Sequence, residues 1–169
     1  MGNHQQLVDQ AVGGELPKLA IDFFFVFSRF ECALKRSGTY AFSDRGRASA
    51  DWDGFARNLG DDFLIRVAAQ GVAHELINRP PKRQVLLPNG RGLSWQEVTP
   101  VTNVTELFLA IRRVRNNLVH GAKYRDGATG YIEEVEGAER DDVLLDQSLT
   151  VLGLALEASE NVQRYFGRF

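Results

Sequence analysis

The sequence predicts an all-α protein, an antiparallel bundle of four major helices with one short extra helix. Three observations carry that expectation. Apolar residues recur at helical spacing through four long segments, those segments are bounded by capping residues, proline or glycine, and no internal repeat or low-complexity tract interrupts them. At 169 residues with 44% hydrophobic composition, the chain is the right size for a single domain, residues 1–169, around one core.

The first helix is predicted in "PKLAIDFFFVFSRFECALKRSG", with Pro17 suited to its start and Gly38 to its stop. On a helical wheel Leu19, Phe23, Val26, Phe27, Phe30 and Leu34 share a face, while Phe24 and Phe25 widen the apolar surface beyond what one neighbour needs. Such a helix is either central to a bundle or part of an oligomer interface. Glu31 falls at the edge of the stripe, where a carboxylate most simply reads as half of a surface ion pair. In residues 39–60, Ser49 suits the cap of a short helix that turns Trp52, Phe55 and Leu59 inward. The second major helix is expected through "DDFLIRVAAQGVAHELIN", stopped by Pro80 and Pro81. "RPPKRQVLLPNGRGLSWQEV" then breaks the helical pattern and reads as an irregular loop or small hairpin. A third major helix starts near Thr102 or Asn103 and ends at Gly121. After the acidic, glycine-rich "RDGATGYIEEVEGAERDD", the last spans about Asp142 to Tyr165.

Charge and cysteine content narrow the function classes. Twenty Lys and Arg against 22 Asp and Glu give a net charge of −2, so any attraction to a polyanion must be local. One cysteine, Cys32, excludes an intramolecular disulfide and a thiolate-rich zinc site, which fits a reducing compartment. No apolar run approaches the roughly 18 residues of a membrane span, so a soluble cytoplasmic protein is expected, with no membrane partner. His4, His74 and His120 lack ligand spacing, and neither metal nor cofactor is expected.

The chemistry-bearing stretch is "IRRVRNNLVHGAKY". With Ile111 at the centre of that helix's apolar stripe, Arg115 lies only about 40° away at about 100° per residue. A guanidinium there needs a carboxylate, a route to solvent or a polar cleft, because leaving it dry and unpaired is costly. Arg112 and Arg113 fall off the stripe and read as ordinary solvated charges. His120 lies about 140° further round than Arg115 by the same rule, so the two side chains meet only if the helix loosens or a second copy brings them together. The plainer alternative is a helix C-cap made by His120 and Gly121.

The run Arg115-Asn116-Asn117-Leu118-Val119-His120, followed by Gly121, resembles the R-x4-6-H signature of HEPN domains. The aromatic first helix with "FSRFECALKR", the "RPPKRQ" loop, Trp95 and the apolar last helix are similar to a bacterial and plasmid-borne branch of that family, over roughly residues 17 to 166. The resemblance implies a metal-independent endoribonuclease, a homodimer whose paired motifs line one cleft, in a toxin–antitoxin or anti-phage defence setting with an antitoxin or defence-system partner. His120, with an unperturbed pKa near about 6.5, suits proton transfer with an RNA 2′-hydroxyl or a leaving 5′-oxygen. Arg115 suits a phosphate clamp, Asn116 a supporting donor, and Glu31 a carboxylate paired with Arg115. Arg112, Lys123 and Arg125 are the expected RNA-binding cations, since residues 112–125 hold five basic residues and no acid. The tyrosine that some family toxins carry two positions after the histidine is Ala122 here, which speaks against regulation through that residue. The competing expectation is a non-catalytic HEPN module that binds RNA or nucleotide, or serves as a dimeric interaction domain.

Overall fold

A computed structural model describes residues 18–88, 90, 92–120 and 138–167, together with Gln6; for Leu93, Val119, His120 and Ala138 only the backbone is described. The described residues form seven helices and four strands: α1 (Lys18–Arg36), β1 (Ala41–Asp44), β2 (Arg47–Ala50), α2 (Trp52–Leu59), α3 (Asp61–Ala69), α4 (His74–Asn78), β3 (Arg83–Leu86), β4 (Leu93–Gln96), α5 (Val104–His120), α6 (Ala138–Glu157) and α7 (Glu160–Phe166).

This corrects the expected fold. The protein is mostly helical but not all-α, and the bundle of four major helices plus one short helix is replaced by seven helices and two antiparallel two-stranded sheets. The first hairpin pairs Ala41 with Ala50 through Asp44 with Arg47, leaving Arg45 and Gly46 as its turn. Both turn residues have positive φ, 50° and 82°, the left-handed pair whose twist matches that of the flanking strands. Its strands are short, rich in Ala and Ser and almost wholly exposed, so no apolar alternation marked them in the sequence. Ser49 is therefore a strand residue rather than a helix cap. Asp51 caps α2 instead, with Oδ1 accepting from Gly54 N at 2.8 Å. The second hairpin pairs Arg83 with Gln96 and Gln84 with Trp95 within the Pro- and Gly-rich segment.

Two helices expected to be continuous are broken. The 61–78 helix stops after Ala69, where Gly71 at φ 69° turns the chain before α4. The last helix breaks at Ala158 and Ser159, and α7 restarts with Gln163 N donating to Ser159 O. Apolar periodicity continued through both breaks because each half buries a face in the same core.

That core is aromatic. Phe23, Phe27 and Phe30 of α1 are fully buried with Phe55 of α2 and Phe108 of α5. Trp52 stacks at 5.3 Å on Phe30 with planes 10° apart and at 5.1 Å on Phe27, and Phe108 lies 5.5 Å from Phe55 and 6.1 Å from Phe63. Aromatic pairs of this kind contribute about 0.5–1.5 kcal/mol each beyond the area they bury, and here they join α1, α2, α3 and α5. Phe24 and Phe25 of α1 remain exposed.

The start of α5 is fixed from two sides. Asn103 Oδ1 accepts from Glu106 N, Glu106 Oε2 accepts from Thr102 N and Oγ1, and Asp61 Oδ1 at the head of α3 accepts from Val104 N. Among the described residues no helix is long and apolar enough to cross a membrane.

Candidate functional site

Arg115 sits where α5 passes α1 and α2. The aromatic core brings Phe27 and Glu31, four residues apart on α1, to the same side as Arg115. Arg115 Cζ stands 5.2 Å from the centre of the Phe27 ring, and its Nη2 is 3.8 Å from Glu31 Oε1. Both side chains are about one third exposed, at 30% and 31%, so this ion pair is neither buried nor freely solvated. Glu31 is also fixed by Trp52, whose Nε1 donates to its Oε1 at 3.1 Å. The indole needs an acceptor for its one polar atom, and the carboxylate at the rim of the α1 stripe supplies it.

These groups line a cleft of about 320 Å³ whose walls include Glu31, Lys35, Phe42, Trp52, Arg112 and Arg115. One wall is α1, another is the β1–β2 hairpin, and α5 carries the two arginines. Three cations face one carboxylate in the cleft. Arg112 Nη1 approaches Asp53 Oδ1 to 3.3 Å, an exposed contact that water can replace. Arg115 Nε is buried and, among the described residues, has no hydrogen-bond partner. A guanidinium with a buried, unsatisfied donor, a long ion pair and a ring beneath it is held in place without being saturated. Its Nε is closed to solvent, so the donors it can offer an anion are those at the partly exposed end of the guanidinium.

The cleft therefore joins Arg115, Glu31 and Arg112 among the residues singled out in the sequence. Asn116 lies on the exposed side of α5. His120 closes α5 about 1.4 turns beyond Arg115, and its side chain lies outside the described residues. Lys123 and Arg125 also lie outside them. No protein-family model, curated protein or solved structure matches the chain.

Sequence reasoning missed Trp52 and Lys35 as parts of the cleft. The hint for Trp52 was chemical, since an inward indole needs an acceptor, but the acceptor is 21 residues away on another helix. It also misjudged Arg113. This residue is half-buried, donates from Nη1 to Pro81 O at 3.4 Å, and lies beside Asn117, whose Nδ2 donates to Lys82 O at 3.0 Å. Burial first, and then the charge on Arg83, press the Arg113 guanidinium below the ordinary arginine range. Among the described residues no group of three or more His, Cys, Asp or Glu side chains is placed to hold a metal ion.

Proposed function

We propose that this protein is a metal-independent HEPN-type endoribonuclease that cuts RNA by attack of a 2′-hydroxyl on the adjacent phosphorus, leaving a 2′,3′-cyclic phosphate and a free 5′-hydroxyl. The observation that carries the proposal is Arg115, a partly exposed guanidinium with only a long ion pair to Glu31, in a cleft that Lys35 and Arg112 also line, on the same helix as His120. Arg115 engages a non-bridging phosphate oxygen and stabilises the charge that grows there as the new P–O bond forms. His120 takes the 2′-hydroxyl proton or returns one to the departing 5′-oxygen. Glu31, fixed by Trp52, keeps Arg115 aimed before RNA arrives and yields part of it to the phosphate.

The active form in this proposal is a homodimer whose two motifs line a shared cleft, and exposed Phe24 (48%) and Phe25 (63%) on α1 supply apolar surface for such an interface. A toxin or anti-phage defence role in the cytoplasm, with an antitoxin or defence-system partner, accords with that chemistry. Incubating the pure protein with RNA in EDTA, beside His120→Ala and Arg115→Ala, tests the activity. Cleavage by the wild type alone is expected, and cleavage that persists unchanged in both variants refutes the assignment.

A second reading, a non-catalytic module that binds RNA or nucleotide or mediates dimeric interactions, is favoured by one observation. Glu31 already neutralises part of Arg115, which weakens a phosphate clamp. Binding of RNA without cleavage across many sequences would select it.

A further inference from the structure

Around α5, at about 100° per residue, Arg115, Arg112, Asn116 and Arg113 follow one another over an arc of about 160°, with Asn116 exposed and the three arginines partly buried. At one end of this band lies the Glu31–Arg115 cleft. At the other lie the 80–82 segment and the β3–β4 hairpin, fastened to α5 by Arg113 and Asn117 through the carbonyls of Pro81 and Lys82. There Arg113, which donates to the Pro81 carbonyl two residues before the exposed Arg83, is held lower in pKa first by burial and then by the Arg83 charge. Arg83 is held by a neutral group, with Nη2 donating to Gln96 Oε1 at 2.6 Å across the hairpin. Among the described residues no carboxylate comes within ion-pair distance of either arginine, in contrast to Arg112 with Asp53 and Lys82 with Glu97.

Two arginines brought near one another by a hairpin and a helix, with no carboxylate paired to either among the described residues, favour an anion that joins them. We infer that Arg113 and Arg83 bind a backbone phosphate of the RNA strand on the flank of α5 opposite the Arg115 cleft. The strand crosses the exposed face of α5 past Arg112 and Asn116, with the helix, about 10–12 Å across with its side chains, separating the two phosphate sites by a few nucleotides. This subsite rests on the ribonuclease reading for the identity of the polyanion and adds where the substrate lies beyond the bond that is cut. Phosphate contacts of this kind set register rather than sequence preference. Arg113 and Arg83 are thus positioning residues, and the β3–β4 hairpin is the element that presents one of them.

The test is equilibrium binding of a fluorescein-labelled single-stranded oligouridylate to the full chain by fluorescence anisotropy over a series of salt concentrations. Wild type, Arg83→Gln, Arg113→Gln, the double Gln variant and Arg113→Lys are compared. Arg83 is exposed at the start of β3, so Arg83→Gln keeps the variant set informative if Arg113→Gln folds poorly. Each Gln variant is expected to bind roughly tenfold more weakly at low salt, as for loss of a charged hydrogen bond. Each also lowers the slope of log K against log salt by part of the about 0.7 that one single-strand phosphate contact contributes, and the double variant lowers it by the whole. Arg113→Lys, which keeps the charge, recovers most of the slope. Salt-dependent wild-type binding with unchanged affinity and slope in Arg83→Gln and Arg113→Gln overturns the subsite and leaves the ribonuclease reading standing. Wild-type protein with no salt-dependent affinity for RNA overturns both.

Discussion

Replacing Arg115 by Met separates a structural arginine from a functional one. Methionine keeps an unbranched stem of similar length over Phe27 and removes only the charged fork. The fork's contribution can be worked from its contacts. An ion pair at 3.8 Å between side chains about one third exposed contributes about 0–1 kcal/mol, and a guanidinium 5.2 Å from a ring centre adds about 0.5–1 kcal/mol. Against this, the buried Nε without a partner costs about 1–3 kcal/mol. The two sides nearly cancel, so Arg115→Met changes unfolding free energy by no more than about 1 kcal/mol, or stabilises the protein, while Glu31 keeps its hydrogen bond from Trp52. In a chain of this size that is a Tm change of no more than about 2–4 °C. Urea titration and thermal melting followed by circular dichroism measure it, and RNA cleavage by the same preparation is expected to disappear. A loss above about 3 kcal/mol would refute the reasoning, because it would mean that Arg115 is a structural member of a tight polar network.

Three further outcomes follow from the same structure. Trp52→Ala is expected to cost about 3–5 kcal/mol in urea unfolding, since it removes the ring stacked on Phe27 and Phe30, whereas Trp52→Phe keeps most of the stack and costs about 1–2 kcal/mol through the lost bond to Glu31; equal losses would contradict this division. The Glu106 carboxylate is held below its ordinary pKa, first by the backbone N–H and then by the hydroxyl of Thr102. Its ionised form is therefore favoured on folding, and the stability it adds is fully present above the ordinary value of about 4.3 and disappears as pH falls through the lowered one. Melts of wild type and Glu106→Ala should differ most near neutral pH and converge in acid, and a difference that is flat with pH contradicts the sign. Gly71→Ala is expected to cost about 1 kcal/mol by chemical denaturation, since an added Cβ meets nothing within 4 Å and only the φ of 69° resists it; an unchanged midpoint would show that α3 and α4 can join at no cost.

The long apolar helices were legible because period 3.6 is written in residues such as Phe23, Phe27, Phe30 and Leu34, all buried in the structure. The β3–β4 hairpin lies where the prolines and glycines of residues 79–98 left a loop or small hairpin open, but the β1–β2 hairpin was not legible, because strands of four mostly exposed residues carry no comparable signal. "DRGR" did contain a turn, with Gly46 in a two-residue loop, but the flanking Ala and Ser gave it no apolar frame. The breaks at residues 70–73 and 158–159 were hidden for the opposite reason, since buried residues lie on both sides of each and the stripe looks continuous. At the site, the wheel position of Arg115 called for a carboxylate, a route to solvent or a polar cleft, Glu31 at the rim of α1 read as half of an ion pair, and the structure sets the two 3.8 Å apart. What the sequence withheld was the third dimension: Trp52 reaching Glu31 from α2, and Arg113 drawn out of solvent by a segment 32 residues earlier. Off-stripe position alone made Arg113 look solvated, because the wheel takes no account of what packs against the far side of a helix.

The central claim is tested most directly by the chemistry of the cut ends. Mass spectrometry of oligoribonucleotide fragments produced in EDTA should find a 2′,3′-cyclic phosphate on one fragment and a 5′-hydroxyl on the other, with both absent when His120→Ala or Arg115→Ala replaces the wild type. Fragments ending in a 3′-hydroxyl and a 5′-phosphate, or cyclic phosphate ends formed as fast by the two variants, would contradict it.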